Sequence, residues 1–219
     1  MEIRNRNIIV LTSMRTGSTW LCNLLSGLLQ TKFGFAKTLE QIAEIWEEGK
    51  FVKAHNFTVE TVFKLYPDAI ILSTSRNPKD RTSSQVFFKK YSVERTDEII
   101  KKNATIQEER HLDRMWKGYS SKAKGEREFN YWWTTYEWLK EDTERELRNL
   151  ADFLEVKYTD MIIRFIVISV QDFCMQKGRI RKGRVDSWKE EIFAEKLLVL
   201  DKHQEMYYNV VNGELTKEE

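Results

Sequence analysis

Arg15 stands two positions before Gly17 in the run Thr12-Ser-Met-Arg-Thr-Gly-Ser-Thr-Trp20, with hydroxyls at Thr16, Ser18 and Thr19 beside them. An apolar stretch rich in β-branched residues, from Ile8, leads into this run. Leucines at 21, 24, 25, 28 and 29 leave it at helical spacing. A strand, a polar turn and a helix start in that order make a cradle for an anion, because backbone N–H groups and the helix dipole both favour a bound phosphate. The spelling differs from the triphosphate loop GxxxxGK[ST], since the basic residue comes before the only glycine. The chemistry implied is therefore that of a phosphorylated donor other than ATP.

The remaining chemistry-bearing residues fall at the ends of other apolar runs. Lys53 and His55 close Phe51–Ala54, Arg76 follows Ala69–Ser75, and Tyr136 ends Tyr131–Tyr136. Helical patterns separate them: Ser18–Gln30, about 39–48, Val59–Leu65, a helix opening at Pro78 and ending near Lys90, and a polar stretch over about 93–124. Thr143, with Glu146 three residues on, predicts a capping box for a helix reaching Leu154, and the tail from Glu190 to Asn209 reads as amphipathic helix. Continuous apolar strands alternating with helices predict an α/β fold, one domain over residues 1–219 with a central, mainly parallel sheet covered by helices. In such sheets ligands bind beyond the carboxyl ends of the strands. Arg15, His55, Arg76 and Tyr136, after the first to fourth predicted strands, are thereby drawn to one shared site.

Composition narrows the classes. There are 36 basic and 34 acidic residues, a balance too even for a nucleic-acid coat, so the basic residues that matter are local: Arg15, Lys53, Arg76 and the run Arg179–Arg184. No apolar stretch approaches the roughly 20 residues of a spanning helix, and strand-forming residues follow the first few positions with no room for a signal peptide. A cytoplasmic protein without membrane insertion is expected. Cys22 and Cys174 read as buried thiols.

Five segments together resemble the cytosolic-type sulfotransferases. Thr12–Trp20 resembles their 5′-phosphosulfate loop, TYPKSGTTW, and Ser75–Ser84 resembles the 3′-phosphate motif RNPKDxxxS. Lys53-Ala-His55 stands where the family has Lys-Thr-His. Tyr136–Asp142 resembles Tyr-Glu-Asp-Met-Lys, and Arg181–Lys189 resembles RKGxxGDWK. They occur in family order across about residues 8–189. The resemblance implies a P-loop-like sulfotransferase fold and the donor 3′-phosphoadenosine 5′-phosphosulfate (PAPS), with adenosine 3′,5′-bisphosphate (PAP) as product. The acceptor would be a hydroxyl or amine on a small molecule, lipid or glycan, and no metal would be required.

The resemblance also distributes roles. Arg15 would neutralise charge on the leaving 5′-phosphate, with Thr16, Gly17, Ser18 and Thr19 donating to it and Trp20 stacking on adenine. Arg76 and Ser84 would hold the 3′-phosphate, Arg76 by a bidentate fork. Arg181, Lys182 and Gly183 would close over the same group, and Tyr136 would reach toward adenine. His55 would be the general base, since histidine titrates near neutrality. Lys53, two residues earlier on an extended segment, shares its side and would touch the transferred sulfonate. Trp116 and Tyr119 are candidate acceptor walls. An arginine at position 15 is typical of carbohydrate-directed and bacterial relatives, some of which use a carboxylate base, so Glu40, Glu44 and Glu60 stand as alternatives to His55. The competing functions are a small-molecule kinase on the same architecture and a non-catalytic PAP-binding protein.

Overall fold

Ile8–Leu11, four residues with every side chain buried, form β1 at the centre of the sheet. The structure is a computed structural model describing residues 7–55, 57–88, 93–104, 130–176, 186–191 and 194–212. Along the chain come α1 (Ser18–Leu29), β2 (Phe33–Phe35), α2 (Glu40–Glu47), β3 (Phe51–Ala54), α3 (Val59–Leu65) and β4 (Ile70–Ser75). Then follow α4 (Pro78–Phe88), α5 (Val93–Asn103), β5 (Tyr131–Thr135), α6 (Tyr136–Glu141), α7 (Thr143–Phe153), α8 (Asp160–Gln176) and α9 (Asp201–Asn212). The sheet order is β2-β3-β1-β4-β5, and every neighbouring pair is parallel. The predicted α/β class is thus observed. Of the predicted polar helix over about 93–124, Val93–Asn103 is α5, and residues 105–124 lie outside the described residues.

Alternation along the strands divides the core in two. Ile8, Val10, Phe51, Ile70 and Leu72 face one way and pack with α1, α7 and α8. Ile9, Leu11, Val52, Ala54, Ile71 and Trp133 face the other way, against Ile42 of α2, Val59 and Val62 of α3, and Tyr207 and Val210 of α9. Burying each such side chain contributes on the order of 1.5–3 kcal/mol, so the two-faced sheet is the main support of the site at its edge. Among the described residues no helix is long and apolar enough to cross a membrane.

Several local expectations are corrected. Strand β2 is unannounced by the sequence pattern. It is three residues at the sheet edge with Gly34 in the middle, where a Cβ would come within 2.7 Å of Ile45 Cγ2. Its presence makes β3, β4 and β5 the strands that precede His55, Arg76 and Tyr136. The last strand stops at Thr135, whose hydroxyl accepts from Trp138 N–H and caps α6.

The capping box at Thr143 does not form. Asp142 is the cap, accepting from Arg145 N–H, while Thr143 donates to the Leu139 carbonyl and Glu146 takes the Thr134 hydroxyl in the interior. A carboxylate already at the N-cap leaves the Thr143–Glu146 pair free for other partners. The tail is two 3₁₀ segments, Ser187–Glu190 and Ala194–Leu200, before α9. Leu197 and Leu200 are buried three residues apart, a spacing that a 3₁₀ turn places on one face. Helix α8 is also unannounced. Met161, Phe165 and Ile168 are exposed while Ile163, Ile166 and Val167 are buried, so no clean apolar stripe marks it in the sequence.

Candidate functional site

The loop after β1 is shaped by two left-handed backbone positions, Arg15 at φ 69° and Gly17 at φ 95°. Gly17 is the N-cap of α1 and no side chain caps that terminus, leaving its first N–H groups to an anion. A Cβ at Gly17 would lie 2.8 Å from Tyr136 Cδ2, so only glycine lets the tyrosine ring close on the loop. Thr16 is buried. Its hydroxyl donates to the Ser13 carbonyl at 2.8 Å and meets Thr74 Oγ1 at 3.0 Å, tying the loop to β4. Ser18 is buried at the first turn of α1, and Thr19 Oγ1 accepts from Lys53 Nζ at 2.9 Å.

Lys53 and His55 reach the same loop from the end of β3. Lys53 is 9% exposed and pairs in register with Val10 and Phe35, which sends its chain along the α1 face toward Thr19. His55 Nδ1 donates to the Thr12 carbonyl at 2.9 Å and lies 3.2 Å from Thr12 Oγ1. A carbonyl only accepts, so in the neutral ring the proton is on Nδ1 and the lone pair is on Nε2. Phe35 of β2 lies against this ring at a tilt of 55°, with centroids 5.5 Å apart. Glu40, Glu44 and Glu60 lie exposed on α2 and α3.

Arg76 is 8% exposed, and its guanidinium carbon lies 4.2 Å above the centroid of Tyr136. The edge of Trp20 meets the same tyrosine with centroids 6.1 Å apart. Tyr136 is therefore packed against Gly17, Trp20 and Arg76 together, and burial pushes its hydroxyl above the usual tyrosine range. Trp20 is itself in the core, with Lys140 Nζ 4.8 Å from its ring, where burial lowers the ammonium pKa. Arg15 Nε donates to Ser84 Oγ at 3.1 Å. The structure thus gathers Arg15, Thr16, Gly17, Ser18, Thr19, Trp20, Lys53, His55, Arg76, Ser84 and Tyr136 at the carboxyl edge of the sheet. Arg181, Lys182, Gly183, Trp116 and Tyr119 lie outside the described residues.

Asp80, in the first turn of α4, is a residue that the sequence alone did not single out. Buried at 1% exposure, it accepts from Asp186 N–H (2.7 Å), Trp188 N–H (3.1 Å) and the Ser187 hydroxyl (3.1 Å). Burial raises its carboxyl pKa, opposed by the nearby Arg76 charge and these hydrogen bonds. Its place in Arg76-Asn-Pro-Lys-Asp80 was the available signal. Among the described residues no group of three or more His, Cys, Asp or Glu side chains could hold a metal ion.

A parallel sheet with an uncapped glycine turn after β1, and buried arginine and lysine at its carboxyl edge, is a P-loop-like fold with an anion-favouring edge. The chain belongs to the sulfotransferase domain family, whose model matches residues 5–212. Mouse sulfotransferase SULT7A1, solved in complex with PAP, is similar in structure with a TM-score of 0.68 and 16% identity, over 90% of this chain and 82% of that one. Retinol dehydratase, solved with androsterone and the inactive cofactor PAP, gives 0.68 and 14%, over 100% and 84%. A putative steroid sulphotransferase of Arabidopsis thaliana gives 0.58 and 21%, over 93% and 77%. At these identities the likeness is one of fold. By sequence, no curated protein matches the chain.

Proposed function

We propose that residues 1–219 act as one domain that transfers the sulfonyl group of PAPS to the hydroxyl of a small-molecule acceptor. The observation that carries this reading is the Tyr136 ring, packed on one side against Gly17 at the α1 N-terminus and on another against the Arg76 guanidinium. Two anion sites separated by one aromatic ring suit a nucleotide phosphorylated at both the 5′ and 3′ positions, whereas ATP offers nothing for the second.

On this reading the α1 N–H groups from Gly17 to Trp20 receive the 5′-phosphate, and Arg15 offsets the charge that grows on it as the sulfur–oxygen bond breaks. Thr16 contributes shape, because its hydroxyl is already committed to Ser13 and Thr74. Arg76 and Ser84 receive the 3′-phosphate, joined by Arg181, Lys182 and Gly183, and Tyr136 borders the adenine, with the buried Trp20 packed against that tyrosine. His55 Nε2 takes the acceptor proton as the new oxygen–sulfur bond forms, the ring held by its Nδ1–H bond to Thr12. Lys53, on the same side, meets the sulfonate in transit. Alignment and charge supply the rate, and no metal is needed. The retinol dehydratase neighbour solved with androsterone makes small apolar alcohols the first acceptors to try.

The test is incubation with PAPS and a panel of alcohols, phenols, amines and glycans, read by PAP release, beside calorimetric titration with PAP and with magnesium ATP. PAP binding and acceptor-dependent release are expected. Absence of both would overturn the reading, and tighter binding of magnesium ATP would favour a kinase instead. Binding of PAP without turnover on any acceptor would leave a nucleotide-binding protein.

A further inference from the structure

We infer that Asp80 is a positioning residue for the donor's 3′-phosphate, acting through the corner of chain it shares with Arg76. The inference rests on the donor reading above. Arg76 leaves β4 and Asp80 sits in the first turn of α4, with Asn77, Pro78 and Lys79 between them. Few rotatable bonds separate the two, so whatever fixes this corner fixes where the guanidinium is presented.

The corner is held by three elements. From α6, Glu137 accepts Asn77 N–H at 3.1 Å. From α9, the Tyr208 hydroxyl accepts from Asn77 Nδ2 at 3.0 Å, Tyr207 donates to the other oxygen of Glu137, and Asp201 pairs with Lys79. From the turn at Asp186, three donors converge on the Asp80 carboxylate. Asp186 holds a left-handed φ of 57°, and its own carboxylate accepts from Lys189 at 2.8 Å. Lys79 Nζ also lies 4.2 Å over the Trp188 ring, so the turn grips two successive residues of α4. Asp80 is the member that binds the turn to the corner through a single side chain.

Electrostatics gives the proposal a sign. A carboxylate close enough to Arg76 to share its field repels a phosphate that Arg76 would bind. Removing that charge without moving anything must tighten PAP binding. Removing a clamp must weaken it, and only for a ligand that carries the 3′-phosphate.

The experiment is calorimetric titration of wild type, Asp80→Asn and Tyr208→Phe with PAP and with adenosine 5′-monophosphate, each variant checked by thermal melting. Asparagine keeps the shape but turns an N–H toward the donors of the turn. Asp80→Asn is expected to weaken PAP about tenfold or more, with adenosine 5′-monophosphate changed by less than about twofold, and Tyr208→Phe to weaken PAP in the same selective way by about threefold. Equal or tighter PAP binding by Asp80→Asn overturns the proposal, as does an equal loss for both nucleotides, which is the mark of general loosening. Should Asp80→Asn fail to fold, Ser187→Ala, which removes one donor to the same carboxylate, takes its place, and an unchanged ratio of the two affinities there overturns the proposal. Wild type that fails to bind PAP overturns the donor reading, and this inference with it.

Discussion

Arg15 Nε donates to Ser84 Oγ at 3.1 Å, so the loop that follows β1 is joined to the second turn of α4 by one hydrogen bond between residues 69 apart in sequence. On the proposed donor reading, the group that would offset charge at the 5′-phosphate is thus held by one that would sit at the 3′-phosphate. Because Arg15 already adopts φ 69°, its backbone is spent on shaping the loop and its side chain is directed by Ser84. Arg15→Ala is expected to lower kcat by about 10²–10³-fold, the usual cost of one charge-stabilising donor. Ser84→Ala should weaken PAP binding and lower kcat by less. A kcat unchanged in Arg15→Ala, measured by PAP release, would remove that residue from the chemistry.

The hydrogen bond from His55 Nδ1 to the Thr12 carbonyl makes a separate expectation. His55→Ala should lower kcat by about 10²–10⁴-fold while PAP affinity stays near that of wild type, since in the proposed mechanism Nε2 would serve the acceptor and not the nucleotide. Full activity in His55→Ala would transfer the role of base to one of Glu40, Glu44 or Glu60.

Gly17→Ala tests the cradle. At φ 95° an L side chain costs about 1–2 kcal/mol, and here its Cβ would also meet the Tyr136 ring at 2.8 Å. Denaturant titration should show a loss of at least that size, and PAP binding should fall because the ring between the two anion sites is displaced. A variant with wild-type stability and affinity would mean the ring is not seated on the loop.

Burial pushes the Cys22 thiol up to about 12, with the Lys53 charge opposing the rise only in part. At pH 8 only about one thiol in 10⁴ is then ionised, and the thiolate is the reactive form. Native protein should leave Cys22 unmodified by a thiol reagent that labels it readily in denaturant, as peptide mass mapping would read. Labelling of Cys22 in the native state at a rate typical of exposed thiols would contradict its burial on α1.

Much of the architecture was legible because strands with no polar residue, such as Ile8–Leu11 and Ile70–Leu72, report burial on both faces by composition alone. The loop at Thr12–Trp20 was legible for a related reason. A glycine after a basic residue, between a strand and a helix, has few other uses. What composition could not report were elements whose identity depends on a neighbour. Phe33-Gly-Phe35 is a strand only because β3 pairs with it, and α8 is a helix whose apolar residues point both inward and outward.

Local chemistry thus nominated the residues of the proposed site: a loop shaped to cradle an anion, a histidine and lysine at one strand end, and an arginine ahead of a proline. Tertiary packing decided what each group is free to do. Thr16 looked like a phosphate donor until Thr74 and Ser13 took its hydroxyl, and Trp20 looked like an open stacking face until α1 turned it into the core. Asp80 is an acidic residue at a helix start whose capacity the fold takes up by bringing Asp186, Ser187 and Trp188 onto it. Residue type sets what a side chain can donate or accept, but the partners that the fold brings to it decide whether that capacity remains for a ligand.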